Sequence, residues 1–239
     1  MYRIIDDVII SLLLYIFISF VFVYNFVPYV EAQSRLYAGY AYYGFGSYGI
    51  WGVKGDILSS KIYNVPPNGF GAEWVTVILK YKPFYWIQTG YVTRNVCYVF
   101  IFCWIERNYY IEVNDGYGHR VWYYSGPRIG SVHRYQIINM NAYSDPLNPI
   151  DPHYWEILID PQNELIRKTV YVYPYYEGVD MRAMIELTDN GIDVELAHFS
   201  SLQRYLAGWR LWDRVGLIQV DPPFVLERVS YYEFYAWTK

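Results

Sequence analysis

The chain has 239 residues, a formal net charge of −4 and no dense cluster of lysine and arginine, which argues against a protein that binds nucleic-acid phosphates. Tyrosine is abundant at 30 residues, beside 9 tryptophans and 12 phenylalanines. Aromatic residues suit a pleated, half-buried surface, so the composition predicts a chain built from β-strands. Beyond the first 30 positions or so, only residues 202–211 have the apolar spacing of a short helix.

The first segment has a different character from the rest. Arg3 precedes an apolar run over residues 8–26, and Val30 and Ala32 stand just before a possible cleavage point. This order is typical of a secretory signal, so we expect cleavage after Ala32 and a secreted protein or one on the extracellular cell surface. The run is also long enough to span a bilayer, and membrane attachment through an uncleaved helix over residues 8–30 is the alternative.

Turn signals divide the remaining chain into short runs. They predict strands over residues 50–54, 57–65, 74–80, 85–93, 97–106, 109–113, 121–124, 131–140, 155–160, 165–173, 181–188, 192–196, 216–220 and 226–237. So many short strands without helical crossovers predict an all-β fold, an antiparallel two-sheet β-sandwich or jelly roll. We expect the sandwich to occupy residues 49–239, after a signal or anchor at 1–32 and an irregular or edge segment, rich in Tyr and Gly, at 33–48.

The two cysteines, Cys97 and Cys103, fall in one apolar run that reads as a single strand. Six extended residues span about 20 Å, which is far beyond the reach of a disulfide. Unless the strand folds back, we expect both to be buried as small hydrophobic residues.

A series of short motifs keeps its order and spacing over about residues 49–200. It runs GIWG at 49–52, SSKIYNVP at 59–66, EWV at 73–75, IQTG at 87–90, WIE at 104–106, the hairpin at 155–173, AMIE at 183–186 and LAHFS at 196–200. In this order the series resembles the glutamic peptidases of the eqolisin type, and IQTG is its most specific member. The resemblance implies a concanavalin-like jelly roll. The plant-type neprosin peptidases, which have a related sandwich, are a second resemblance, although their cysteine-bearing motifs are absent.

The eqolisin resemblance implies a role for two polar side chains. Glu186 would act as general base towards a water that attacks a peptide carbonyl, and then as acid towards the leaving amine. Gln88 would orient that water and donate its amide N–H to the developing oxyanion. Strand alternation places Gln88 beside Gly90, whose missing side chain leaves room for a ligand. The residues expected to bind the polypeptide substrate are Trp74, Trp86, Trp104 and Glu106.

Other readings of the same residues remain open. Glu177 and Glu195 are rivals to Glu186, and Glu106 could pair with Arg107 or Arg134 on the surface. The four histidines are dispersed without ligand spacing, so we expect neither a metal nor a cofactor. No Ser/His/Asp order or Cys–His pairing stands out, so no covalent intermediate is expected.

Three functions are compatible with this sequence pattern. The first is a secreted endopeptidase that works in acid. The second is a non-catalytic sandwich that binds carbohydrate or protein, and the third is a structural component of a cell surface or filament, because fold alone does not decide function.

Overall fold

The computed structural model describes residues 35–43, 49–98, 102–144, 148, 150–160, 165–174 and 177–239. The predicted signal or anchor at residues 1–32 lies outside these residues. Within the described ranges, no helix is long and apolar enough to cross a bilayer.

Strands make up most of the described chain. They are β1 (Leu36–Tyr43), β2 (Gly52–Leu58), β3 (Ile62–Tyr63), β4 (Phe70–Lys80), β5 (Tyr85–Tyr98), β6 (Phe102–Asp115), β7 (Gly118–Ser125), β8 (Val132–Asn139), β9 (Tyr154–Ile159), β10 (Ile166–Tyr171), β11 (Asp180–Leu187), β12 (Asp193–Val194), β13 (Ala197–Tyr205), β14 (Trp209–Leu211), β15 (Leu217–Val220), β16 (Phe224–Ser230) and β17 (Glu233–Thr238). A 3₁₀ turn, Met140–Tyr143, follows β8.

Two large antiparallel sheets form a sandwich. The first has the order β15-β1-β11-β4-β5-β6-β7, and the second has the order β10-β9-β8-β2-β13-β17-β16 with β14 beside β13. A small third sheet pairs β12 with β3. The predicted all-β, two-sheet antiparallel architecture is confirmed.

Strand β4 shows how alternation builds both faces of the first sheet. Val75, Val77 and Leu79 are buried in the core between the sheets, while Trp74 belongs to a smaller apolar cluster on the opposite face. Alternate residues of a strand point to opposite faces, so a central strand covered on both sides reads as one apolar run. The outer cluster supports the candidate site described below.

The segment before residue 49 departs from its predicted role. Residues 33–48 were expected to be irregular or to lie at an edge, yet β1 lies inside the first sheet between β11 and β15. Its small residues allow close approach: the backbone of Met184 lies beside Gly39, where a Cβ would be 2.8 Å from the Met184 Cα. The sandwich therefore begins near residue 36 instead of residue 49.

The cysteines are also placed differently from the prediction. Residues 85–98 form one long strand, and Cys97 pairs directly with Cys103 across the β5–β6 hairpin. Their Cα atoms are 4.1 Å apart and their sulfurs form a disulfide. The prediction that they do not bridge was wrong because the two cysteines lie on two paired antiparallel strands, β5 and β6, and the hairpin does not turn at Arg94–Asn95.

The helix predicted over residues 202–211 is also wrong, because the segment forms the end of β13 and then β14. Ser201 has a φ of 54° and Gly208 a φ of 135°, and the register of β13 shifts between Ser200 and Gln203. The bulge buries Phe199 and Leu202, three positions apart. A β-bulge therefore imitates the apolar spacing of a helix.

A carboxyl group lies inside the sandwich on β4. Glu73 is fully buried and accepts a hydrogen bond from the hydroxyl of Ser60. The Ser60 hydroxyl is also 3.1 Å from that of Tyr91. Burial raises the pKa of Glu73 to about 8, against the weaker opposing effect of these hydrogen bonds.

We predict that Glu73 makes the fold more stable in acid. An exposed Glu titrates near pH 4.3, so the folded protein holds this proton more tightly than the unfolded chain does. The stabilisation is complete below about pH 4.3 and is lost as the pH rises through about 8. The free energy of unfolding should fall by up to about 1.4 kcal/mol per pH unit between these limits. Glu73→Gln should flatten this fall in urea titrations.

The control is Glu195→Gln, which removes an exposed carboxyl that pairs with Lys61. In this variant the free energy of unfolding should fall with pH as steeply as it does in the parent protein. If Glu73→Gln also keeps that slope, Glu73 is not the source of the pH dependence.

Candidate active site

Gln88 and Glu186 project from the same outer face of the first sheet. Strand β4 separates their strands, with Gln88 paired to Thr76 on β4 and Glu186 paired to Ala72. Thr76 and Ala72 are four positions apart and therefore share a face, as cross-strand partners also do. The two side chains thus stand on either side of β4.

Trp74 lies between these two positions and contacts one of them directly. Its indole N–H donates to Glu186 Oε2 at 3.1 Å, and its cross-strand partner on β5 is Gly90. A Cβ on Gly90 would collide with the carbonyl oxygen of Glu73 and lie 2.7 Å from the Trp74 Cα. Glycine is therefore required for β5 to approach Trp74 this closely.

Glu186 is a buried carboxyl with one cationic partner. Arg35, just before β1, donates to Glu186 Oε1 at 2.6 Å, and the Glu186 side chain is only 5% exposed. Burial raises the pKa of Glu186, Arg35 opposes this rise, and nearby Glu112 adds to it. The group is thus a stronger base than an ordinary glutamate, and the half-exposed Arg35 offsets part of the effect of burial.

Gln88 is held by a tyrosine from the neighbouring strand. Its amide Nε2 donates to the hydroxyl of Tyr110 at 2.6 Å. Burial raises the pKa of Tyr110 well above its usual range, and the charges of Glu112 and Glu186 add to the effect, so this hydroxyl stays neutral. Glu112 is the cross-strand partner of Gln88 and lies 2.7 Å from His119 Nε2.

Two hollows meet at this pair of side chains. The larger has a volume of about 420 Å³ and the smaller about 120 Å³. Arg35, Gln88, Glu112 and Glu186 line both hollows. The larger continues past Trp74, Trp86 and Phe84, and the smaller past Phe70, Val92 and Tyr123. A groove therefore passes over the carboxyl and the amide and extends in both directions.

The four predicted substrate-binding residues fall in two places. Trp74 and Trp86 line the larger hollow. Trp104 and Glu106 lie farther out on the β5–β6 hairpin, and they line neither of these hollows. Both residues nevertheless lie on the face of the first sheet that carries the groove, because Glu106 pairs in register with Arg94, which lines the smaller hollow.

The surface contacts of Glu106 differ from both alternatives considered above. It forms an ion pair of 2.6 Å with Arg94, and it accepts from the Trp104 indole N–H at 2.8 Å. Arg134 instead pairs with Asp56 on β2.

The rival glutamates are remote from the groove. Glu195 is exposed and pairs with Lys61 at 3.0 Å, and Glu177 is exposed on the segment before β11. Neither lines the two hollows, so of the three glutamates considered from the sequence, Glu186 is the one that lines the groove together with Gln88.

Sequence reasoning missed Arg35, Tyr110, Glu112 and His119. Tyr110 and Glu112 had a usable signal, because they follow Trp104 and Glu106 at even spacing and so share a face with them if β6 is one continuous strand. No sequence signal pointed to Arg35, because it reaches Glu186 only through the pairing of β1 with β11.

The site is a carboxyl–amide pair in an open groove on an antiparallel sandwich, and comparison with solved structures finds the same fold. Two crystal structures of scytalido-glutamic peptidase are similar, one with a peptide-based transition state analog and one with a transition state analog inhibitor. Their TM-scores are 0.60 and 0.59, each at 10% sequence identity, and each match covers 86% of this chain and 99% of the other.

At this level of identity the likeness shows a shared fold. No family model matches the sequence, and no curated protein matches it.

Proposed function

We propose that this protein is a secreted endopeptidase that hydrolyses peptide bonds in acid, with Glu186 and Gln88 acting on a water molecule. One observation carries the proposal: a buried carboxyl and a buried neutral amide share one face of the sheet, inside a groove that continues on both sides. The shared fold with scytalido-glutamic peptidase, whose structures hold transition state analogs, supports it. The resemblance to the neprosin peptidases stays a prediction, as does the signal at residues 1–32.

In this mechanism Glu186 is the general base. Its carboxylate takes a proton from a water that attacks the peptide carbonyl, and the same carboxyl then protonates the leaving amine. Burial makes it a stronger base, while Arg35 and the Trp74 indole N–H fix its two oxygens in place. Water is the nucleophile, so no covalent intermediate forms.

Gln88 stabilises the charge that develops on the carbonyl oxygen. A glutamine amide carries two N–H donors, of which one bonds Tyr110 and the other is available to the oxyanion. Because Tyr110 holds the amide, little reorganisation is needed when charge develops. An amide does not titrate, so this role persists in acid.

We predict that removing either group abolishes proteolysis. Gln88→Ala and Glu186→Gln should each lower kcat/KM on casein between pH 2 and 5 by at least about 100-fold, the usual cost of losing such a group. Circular dichroism and thermal unfolding check that both variants fold.

Glu195→Gln is the matched control, and it should retain full activity. If the parent protein digests nothing, or if both groove variants remain active, the peptidase assignment is wrong and a non-catalytic binding protein becomes the better reading.

Arg35 should set the lower pH limit of the reaction. It favours the ionised form of Glu186, so Arg35→Met should raise the pKa of Glu186 further and leave the base protonated up to a higher pH. The acid limb of the kcat/KM profile should therefore move upward by on the order of one pH unit. Arg35→Lys, which keeps the charge, should move it less. An acid limb that stays in place in Arg35→Met contradicts this role.

The outer end of the β5–β6 hairpin extends the same face beyond the groove. Tyr98 and Phe102 form a cross-strand pair, as do Val96 and Trp104. All four are an even number of positions from the groove residues of their own strands, so they point to the same face of the sheet. Tyr98 and Phe102 are each 69% exposed and Trp104 is 47% exposed. We propose that this aromatic end holds apolar side chains of a long polypeptide some distance from the scissile bond.

Trp104→Ala should therefore discriminate by substrate length. Val96, the cross-strand partner of Trp104, is eight positions along β5 from Gln88, a distance of about 27 Å. A short peptide bound at Gln88 does not reach this far. The variant should raise KM for casein several-fold and leave cleavage of a hexapeptide unchanged. Tyr143→Ala, at another exposed tyrosine, is the surface control. Equal loss on both substrates would reject the extended contact.

A further inference from the structure

A second group of reactive side chains lies at one end of the sandwich, on the second sheet. Ser131 immediately precedes β8, His133 is on β8, and Asp160 follows β9. Ser131 Oγ is 2.6 Å from His133 Nε2, and His133 Nδ1 is 2.5 Å from Asp160 Oδ2. A hydroxyl, an imidazole and a carboxylate thus form a continuous series, with each ring nitrogen on a different partner.

The carboxylate and the ring are held from several sides. Asp160 Oδ1 accepts from the backbone N–H of Arg134 at 2.8 Å, and the backbone N–H of Asp160 donates to the Arg134 carbonyl at 2.7 Å. Tyr109, from the facing sheet, places its hydroxyl 3.1 and 3.2 Å from the two ring nitrogens. The imidazole orientation is therefore set by its neighbours, as a general base requires.

The serine stands at the surface end of this series. Its hydroxyl donates to the carbonyl of Arg128 at 2.6 Å, so this proton must turn from the carbonyl to His133 Nε2 before Oγ can attack. Ser131 is half-buried, and its neighbours Ile129 and Val132 are exposed apolar side chains. Exposed apolar side chains thus flank the serine in the chain, which would suit an ester with an apolar acyl group.

We propose that Ser131 is a nucleophile activated by His133 and Asp160, and that it accepts acyl or phosphonyl groups from small activated esters. Oγ attacks the carbonyl carbon, its proton passes to His133 Nε2, and the tetrahedral intermediate expels the alkoxide, which takes that proton. Water then attacks the acyl-serine while His133 takes one of its protons. The bond between the acyl carbon and Oγ breaks as His133 gives that proton to Oγ, which releases the acid and restores Ser131. Asp160 stabilises the charged imidazole throughout.

This centre uses a different base from that of the groove. Its base is the imidazole of His133, whereas the proposed peptidase uses the carboxyl of Glu186. Its residues are on β8 and at the end of β9, and none of them lines the hollows beside Gln88 and Glu186.

The test uses a biotinylated fluorophosphonate on the whole folded protein at pH 7.5. Attack by Oγ forms the P–O bond and expels fluoride, and peptide mass spectrometry locates the adduct. Ser131 should be labelled in the parent protein and in Gln88→Ala, and Ser131→Ala should abolish the adduct. His133→Gln and Asp160→Asn should each slow labelling at least 10-fold, and asparagine tolerates the positive φ of residue 160.

Ser125, an exposed serine at the end of β7, gives the matched control, and Ser125→Ala should label as the parent does. Absence of an adduct, an adduct that persists in Ser131→Ala, or equal labelling of heat-unfolded protein overturns the proposal. Equal labelling of the parent and His133→Gln also overturns it, because the serine would then be reacting without its base.

Discussion

The register of β4 against both its neighbours is the constraint on which the groove depends. β4 pairs with β11 on one side and β5 on the other, and these pairings bring Glu186 and Gln88 to one face. Side chains alternate at every residue, so a slip of one position in either pairing would turn one of the two groups into the core. Gly90 protects the register, because any side chain there would displace β5 from Trp74.

Burial gives the two carboxyls of this region opposite roles. Glu73 and Glu186 are both buried and both have a raised pKa, but they lie on opposite faces of the first sheet. Glu73 faces hydroxyl groups in the interior, where its neutral form is favoured, so it makes acid the favourable condition for the fold. Glu186 has a cation and an indole N–H at the groove, which stabilise its charge. One sheet thus carries a core carboxyl whose neutral form is favoured and a groove carboxyl whose two oxygens each accept a hydrogen bond.

The sequence predicted the sandwich well, because strand alternation and turn residues are local signals. It also indicated that Gln88 and Glu186 would face a common cleft, through the ordered motifs of the eqolisin resemblance. The errors share a cause. The run around Cys97 and Cys103 reads as one strand because no turn-forming residue stands between the two cysteines. Residues 202–211 read as a helix because a bulge changes the apolar period. Within the segment at 33–48, residues 36–43 gave no sign that they form an inner strand.

The amino-acid sequence alone determined the strand-rich composition and the alternation that sets faces within each strand, and it indicated Gln88 and Glu186 as candidate site residues. Only the tertiary structure decided which strands are neighbours. That step brought Arg35 to Glu186, Tyr110 to Gln88, and Ser131 with His133 to Asp160. Hydrogen bonds and ion pairs act over a few ångströms, and which distant residues come within that range follows from sheet order and register, which no local pattern encodes.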